Sequence, residues 1–389
     1  MKIIMVTSRV PAACQKGEQL LSYYRVMHLA RKHSIELICF GDNSNAQHAA
    51  AKTKLEDMGV VVYFVRWRLW VAFFNIISAI FDKQMSFQCA FFESKEFKDT
   101  FERRQQCFAP DVIYSVMIRV LPNIKKYNGR ICVDMVDSMS LNFVKRANEA
   151  GLWRKYFINY EAERVKRYEY NAAEESRVSF VVSKIDKEYI GSNNVHVLPL
   201  GVDRSVFNKK PIKNKDPILI FTGNMDYYPN INAVQWFVDN CWDYVKSACN
   251  DVKFIISGRN PVKSIINISS NDEKIIVTGA VLSMSDILNT ATVSIAPMQT
   301  GSGMQNKILE AMACGVPVVT TTFGLGDIDA LQGVEIIVAD KALDFSYSVV
   351  KLLNDEIMSG MLSNNGMEYV KCNHDWKVIN ERFEQLCGF

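Results

Sequence analysis

Several familiar devices are missing from this sequence. Its ten cysteines include no CxxC pair and no metal-ligand spacing, which argues against a structural zinc site. The first residues, MKIIMVTSRVPAA, hold one lysine and an apolar run too short for an export signal. Unpaired cysteines without such a signal imply a reducing cytoplasm, each thiol acting as a small buried hydrophobe. No apolar run reaches the roughly 20 residues that a bilayer-spanning helix needs. Internal repeats and low-complexity tracts are absent, and the five histidines lie at positions 28, 33, 48, 196 and 374.

What remains is an ordinary globular composition, with 49% hydrophobic and 22% charged residues over 389 positions. That length suggests two domains. The net charge of +3 is unevenly spread. Residues 1–200 carry 29 basic and 21 acidic side chains, a surplus of eight; the remainder carry 16 and 21, a deficit of five. A basic first half suits a membrane or a phosphorylated acceptor, although chance asymmetry would look the same.

Short β-branched runs alternate with helical patterns. KIIMVTS, IELICFG, GVVVYFV, DVIYSVM, RICVDMV and SFVVS read as buried strands. Helical patterns such as Gln19–Lys32 and Glu161–Ser176 lie between them. The alternation pauses at LPLGVDRSVFNKKPIKNKDP, which holds three of the ten prolines and fits a linker. It restarts with PILIFTG, VKFIISG, KIIVTG, VSIAPM, PVVTT and VEIIVAD. The pattern predicts two α/β domains with parallel sheets facing across a cleft, divided as 1–198 and 199–374, with helix 375–389 packing back on the first. Ligands of such sheets bind at the carboxyl ends of the strands.

Trp67 to Phe81 (WRLWVAFFNIISAIF) has 12 apolar residues of 15, flanked by Arg66, Arg68 and Lys83. It reads as a buried helix of the first half, with an interfacial helix on the inner membrane as the competing reading. Glu161, Arg164 and Glu169 share one helix and read as helical ion pairs. Ser183 and Asp186 form a capping box.

The richest segment is VSIAPMQTGSGMQNKILEAMACGVPVVTT. A strand runs into Gly301-Ser302-Gly303, a helix opens with Asn306, Lys307 and Glu310, and Gly315 and Pro317 stop it. Glycines permit close backbone approach to a ligand, and a helix N-terminus attracts a diphosphate. Lys307 adds charge one turn in. Glu310 lies one turn further on the same face, placed to accept from the hydroxyls of a ribose. The pattern also fits a plain strand–helix–strand unit with a solvated Lys–Glu pair. After the first-half strand RICVDMV, Asp137 is placed to take or orient a hydroxyl proton, with Asp134 three residues earlier; turn and cap chemistry explains both as well. Asp327-Ile-Asp329 reads as a loop pair, not a metal site.

Gly303-x-x-Asn306-Lys307-x-Leu309-Glu310-Ala-Met-Ala-x-Gly315-x-Pro317-Val-Val resembles the nucleotide-sugar site of glycosyltransferase family 4, and more narrowly its exopolysaccharide or PEP-CTERM-type sugar transferases. FTGNMDYYPNINAVQWF, VKFIISGRNP, LPLGVD, EIIVAD, VDMVDS and EAERVKRYE extend the resemblance over nearly the whole chain. The resemblance implies the GT-B fold, two Rossmann-like domains with the donor held mainly by the second. It implies metal-independent, cofactor-free transfer of a sugar, with retention, from a UDP- or GDP-sugar to a glycan or lipid-linked acceptor. That would place the chain in bacterial surface polysaccharide synthesis at the cytoplasmic face of the inner membrane, with no nucleic-acid partner.

Carried over by position, Glu310 matches the family's ribose-binding Glu, whereas its partner Glu falls at Ser302. The amides of Gly303, Met304 and Gln305 would then hold sugar or phosphate. Relatives place an Arg after the glycine matching Gly223 and a Lys six residues on; here those positions are Asn224 and Asn230. Arg259 and Lys307 remain as diphosphate ligands, Lys307 first. The usual acceptor-side His is absent, which leaves Asp137. Gly17 falls in a loop that reaches the donor phosphates or the acceptor in that fold, although a plain turn glycine fits as well. Two further readings are a nucleotide-sugar epimerase of the same fold and a non-catalytic nucleotide-sugar-binding homologue.

Overall fold

A computed structural model of the chain describes every residue except 13–16, 83–84, 126, 149–150, 211–215 and 302–303. Its contacts divide into two compact units, Met1–Pro199 with Asn380–Phe389, and Leu200–Ile379.

The first unit contains β1 (Lys2–Thr7), β2 (Ser34–Phe40), β3 (Val61–Val65), β4 (Val112–Val116), β5 (Ile131–Val136), β6 (Val178–Val181) and β7 (Val195–Val197). They form one sheet in the order β3-β2-β1-β4-β5-β6-β7, with every described pairing parallel. The second contains β8 (Ile218–Thr222), β9 (Lys253–Ser257), β10 (Ile275–Gly279), β11 (Val293–Ala296), β12 (Val318–Thr320) and β13 (Ile337–Val338). Their order is β10-β9-β8-β11-β12-β13, again all parallel. Both sheets are doubly wound. Strand order reverses between β1 and β4, and between β8 and β11, and ligands bind such sheets beyond the carboxyl ends at that reversal.

Burial explains why uniform apolar runs form these strands. Ile3 to Val6, Leu219 to Phe221 and Val318 to Val319 are inaccessible to solvent, because helices cover both faces. Twelve of the thirteen strands among the described residues are legible as apolar runs; β7, Val-His-Val, is too short and polar to stand out. The final residues return to the first unit, where Phe383 packs on Tyr114 and Phe180, with ring centroids 4.9 and 5.2 Å away.

Three expectations need correction. Helix Leu69–Phe81 is not buried: among its residues only Ala72 and Ala79 are fully enclosed, and Phe81 is 85% exposed. Glu161, Arg164 and Glu169 serve main-chain and hydroxyl groups. Arg164 donates to the carbonyls of Ala79 and Asp82 at 2.7 Å, Glu161 accepts from the Gln88 N–H, and Glu169 accepts from Ser138 and Ser140. Cys107 and Cys372 are exposed, while seven other described cysteines are buried. Ser183 does cap its helix, accepting from the Asp186 N–H at 3.0 Å, and Asp186 also accepts from the Ser138 N–H. The linker expectation falls partly on 211–215, outside the described residues.

Candidate functional site

In the second unit, the reversal of strand order brings the loops after β8 and β11 together. A Cβ at Gly301, where φ is +120°, would lie 3.2 Å from Pro229. A side chain at Gly223 would strike the Asn230 amide at 2.7 Å. The Asn230 amide donates to the Asn224 carbonyl and closes the loop.

Lys307 lies one residue into helix Asn306–Ala313 and reaches across to this loop. Its ammonium donates to Asn230 Oδ1 at 2.6 Å and lies 4.2 Å from the centroid of the Phe221 ring at the end of β8. Gln305 caps that helix without a side-chain hydrogen bond, so the Gln305 side chain leaves its first amides to other partners. Glu310 follows one turn later and is half-buried. Met304, Gln305 and Asn306 are half-buried at the helix start. Ser302 and Gly303 lie outside the described residues.

On the far side of β8, Asp226 accepts from the amides of both Asn224 and Asn260, and the Met225 N–H donates to the Arg259 carbonyl at 2.9 Å. Asn260 has φ +56°, uncommon for a residue with a side chain. Arg259 itself is exposed. Buried polar atoms are unspent here: Thr222 Oγ1, Asn224 Oδ1, Thr300 Oγ1 and Asn306 Oδ1 have no hydrogen-bond partner among the described residues. A folded protein seldom tolerates such orphans, and a polar ligand explains several in one place.

In the first unit the corresponding loops carry a second cluster. Gly17 precedes helix Glu18–Leu29 with φ +60° and ψ −126°, a conformation suited to glycine, and a Cβ there would meet nothing within 4 Å. Glu18 accepts from Ser8 Oγ at 2.8 Å and pairs with Arg9 at 3.4 Å and Arg119 at 3.3 Å. Burial lowers the Arg119 pKa, against the pull of Glu18, and its Nε has no partner among the described residues. Sequence reasoning missed Ser8, Arg9, Glu18 and Arg119. The available signal was positional: they follow the first and fourth strands.

Asp137 stands just beyond β5, half-buried. Asn142 donates to its carboxylate at 2.9 Å, and burial raises its pKa, reinforced by Asp186. The strand breaks to present it: register shifts between Asp134 and Val136, and Val136 has φ +67°, costly for a β-branched residue.

Asp134 corrects the sequence expectation of a catalytic carboxylate. It is 1% exposed and accepts from Tyr114 Oη at 2.9 Å and the Val136 N–H at 3.1 Å, with Arg25 at 3.9 Å. Burial raises its pKa despite Arg25. A carboxylate so enclosed cannot reach an acceptor; it holds the turn that presents Asp137.

Known proteins share the fold of this chain. Residues 216–355 match the family model "Glycosyl transferases group 1". An uncharacterised 44.6 kDa protein in the cps region of Klebsiella pneumoniae is 22% identical, covering 97% of each chain. Among solved structures, sucrose-phosphate synthase from Thermosynechococcus elongatus superposes with TM-score 0.69 at 12% identity, covering 99% of this chain and 98% of that one. HepE from Anabaena in complex with UDP superposes with TM-score 0.68 at 12% identity, over 100% of both. The fold is GT-B, shared with these solved structures.

Proposed function

We propose that the chain transfers a sugar from a nucleotide-sugar donor, held by the second unit, to a hydroxyl of a glycan or lipid-linked acceptor. The observation that carries this reading is the unspent polar set at the reversal of the second sheet. Thr222, Asn224, Thr300 and Asn306, in the loops after β8 and β11 that Lys307 links, present buried polar atoms with no partner among the described residues, and Gln305 makes no side-chain cap bond at the helix start. A nucleoside diphosphate satisfies these groups: amides and Lys307 meet the phosphates, and Glu310 meets the ribose. HepE, similar in fold, has been crystallised with UDP and with UDP-glucose, so UDP is the first base to test and GDP the second. Gly223, Gly301, Arg259 and the segment from Ser302 to Gln305 complete the proposed donor loops.

In the reaction, the bond between the sugar's anomeric carbon and the diphosphate oxygen breaks, and the acceptor oxygen takes that carbon. The departing oxygen carries the extra negative charge, which Lys307 and the helix amides stabilise as it develops. The acceptor hydroxyl loses a proton; Asp137 receives or orients it, and Arg119 and Glu18 fix the acceptor beside it. Retention of configuration, independence of metal and a place in bacterial surface polysaccharide synthesis at the inner membrane complete the proposal. Membership of the narrower exopolysaccharide-type subgroup is part of the same proposal.

A thermal-shift panel of UDP-, GDP- and dTDP-sugars tests the donor, and nucleoside diphosphate release with and without acceptors tests transfer. Acceptor-dependent release supports the reading. Release of an altered free nucleotide sugar instead supports an epimerase, and binding without turnover supports a non-catalytic homologue.

A further inference from the structure

The first unit displays an apolar surface turned inside out relative to an ordinary helix. In Leu69–Phe81 the small residues Ala72 and Ala79 face inward, while Trp70, Phe73, Phe74, Ile77, Ile80 and Phe81 are exposed. These positions recur at helical spacing and form one face. No charged residue lies between Arg68 and Asp82. Soluble proteins rarely leave a contiguous apolar face of this size without an occupant.

A second helix adds to it. Helix Leu152–Glu175 exposes Trp153, Tyr156, Phe157 and Tyr160 near its start, again at spacings of three and four, and Trp153 is 86% exposed. The two elements are tied together. Arg164, one turn beyond Tyr160, donates to the carbonyls of Ala79, Asp82 and Met85 and lies 5.5 Å from the Tyr160 ring centroid. Phe87 bridges to Tyr160 with ring centroids 6.5 Å apart.

We propose that helix Leu69–Phe81 and the aromatic start of helix Leu152–Glu175 form one docking surface for an anionic lipid bilayer. Charge selects the occupant. Arg66, which also pairs with Asp42 at 3.5 Å, and Arg68 precede the first helix; Lys145 and Arg146 lie in the last turn of the preceding helix Met139–Asn148, and Arg154 and Lys155 lie in the second helix, all exposed. Basic residues beside apolar and Trp/Tyr side chains match the headgroup region of an anionic leaflet. A second copy of the chain would bring like charges together. No helix among the described residues is long and apolar enough to cross a membrane, so the binding is peripheral.

The placement connects to chemistry. A groove of about 610 Å³ opens in this unit between Ser8, Phe40, His48, Trp67 and Phe92, reaching Arg66 and Arg68 at the start of the exposed helix. An acceptor carried by a lipid enters there from the docked surface. This step deepens the reading of a lipid-linked acceptor; the docking itself is measured without turnover.

The test is co-sedimentation of the full chain with vesicles of phosphatidylcholine alone and of phosphatidylcholine with 30 mol% phosphatidylglycerol. Expected are binding to the anionic vesicles, a blue shift of tryptophan emission, and at least tenfold weaker partitioning for W70S/F74S and for W153S/F157S. R154E/K155E should lose the preference for anionic lipid. Thermal melting and UDP binding of each variant, measured without lipid, should match the parent. Parent protein that ignores both vesicles, or variants that bind as well as the parent, overturns the proposal. Dimers that disperse on W70S/F74S substitution, without vesicle binding, overturn it in favour of self-association. A variant that melts early is replaced by brominated-lipid quenching of the parent's tryptophans, where no quenching is equally decisive.

Discussion

The ammonium of Lys307 donates to Oδ1 of Asn230 at 2.6 Å, linking the helix after β11 to the helix after β8. Asn230 is the position at which the resembled family carries a lysine of its own. One positive charge therefore reaches the same neighbourhood from the opposite loop. Lys307→Met should lower acceptor-dependent nucleoside diphosphate release by about 10²–10³-fold, the usual loss when one transition-state charge partner is removed. Asn230→Lys alone sets two ammonium groups against each other and should also lower the rate. The double variant N230K/K307N returns a single charge to the site and should recover part of the rate. Equal activity of the parent and Lys307→Met would remove Lys307 from the mechanism.

Asp134 and Asp137 lie three residues apart and should fail in opposite ways. Asp134→Asn takes the carboxylate from beside buried Arg25 and from Tyr114. Breaking a buried pair from one side costs about 3–5 kcal/mol, so the melting temperature should fall while the folded fraction keeps its turnover. Asp137→Asn should leave melting nearly unchanged and lower turnover by about 10²–10⁴-fold. Circular dichroism melts beside turnover assays read both, and a stable, active Asp137→Asn protein would exclude it as the proton acceptor.

Most of the fold was legible because fully buried parallel strands must be continuous apolar runs, and the chain contains them. The proposed donor segment stands out in sequence for a related reason: a strand, a glycine-containing loop and a helix start set Lys307 and Glu310 one turn apart by spacing alone. The cluster proposed to meet the acceptor does not stand out. Glu18, Ser8 and Arg119 converge only once β1 and β4 are neighbours, and no local spacing announces that pairing. Asp134 misled because a carboxylate beside a strand end looks the same in sequence whether it faces solvent or Arg25. Helix Leu69–Phe81 misled because hydropathy counts apolar residues and does not say which way they point.

Glu310 should report on binding more than on chemistry. A ribose is present in both ground and transition states, so its contacts are uniform. Glu310→Gln loses charge-assisted hydrogen bonds, which contribute about 1.5–3 kcal/mol. Titration calorimetry with UDP should then show about 10–100-fold weaker binding, and saturating donor should restore most of kcat. Unchanged UDP affinity would place the ribose elsewhere.

Glu169 gives the first unit a pH dependence of stability with a definite sign. Burial raises its pKa from 4.5 to about 7, although Ser140, Ser138 and the Met139 N–H all donate to it. The native state thus binds more protons than the unfolded state between those values. Its contribution is fully present below pH 4.5 and is lost as pH rises through about 7. Glu169→Gln removes the titration and also turns an amide N–H₂ toward groups that donate, at a cost of about 1–3 kcal/mol. Denaturant melts from pH 4.5 to 8 should show the variant less stable throughout, with the parent's decline toward neutral pH flattened. A parent and variant that lose stability in parallel across this range would assign the titration to another group.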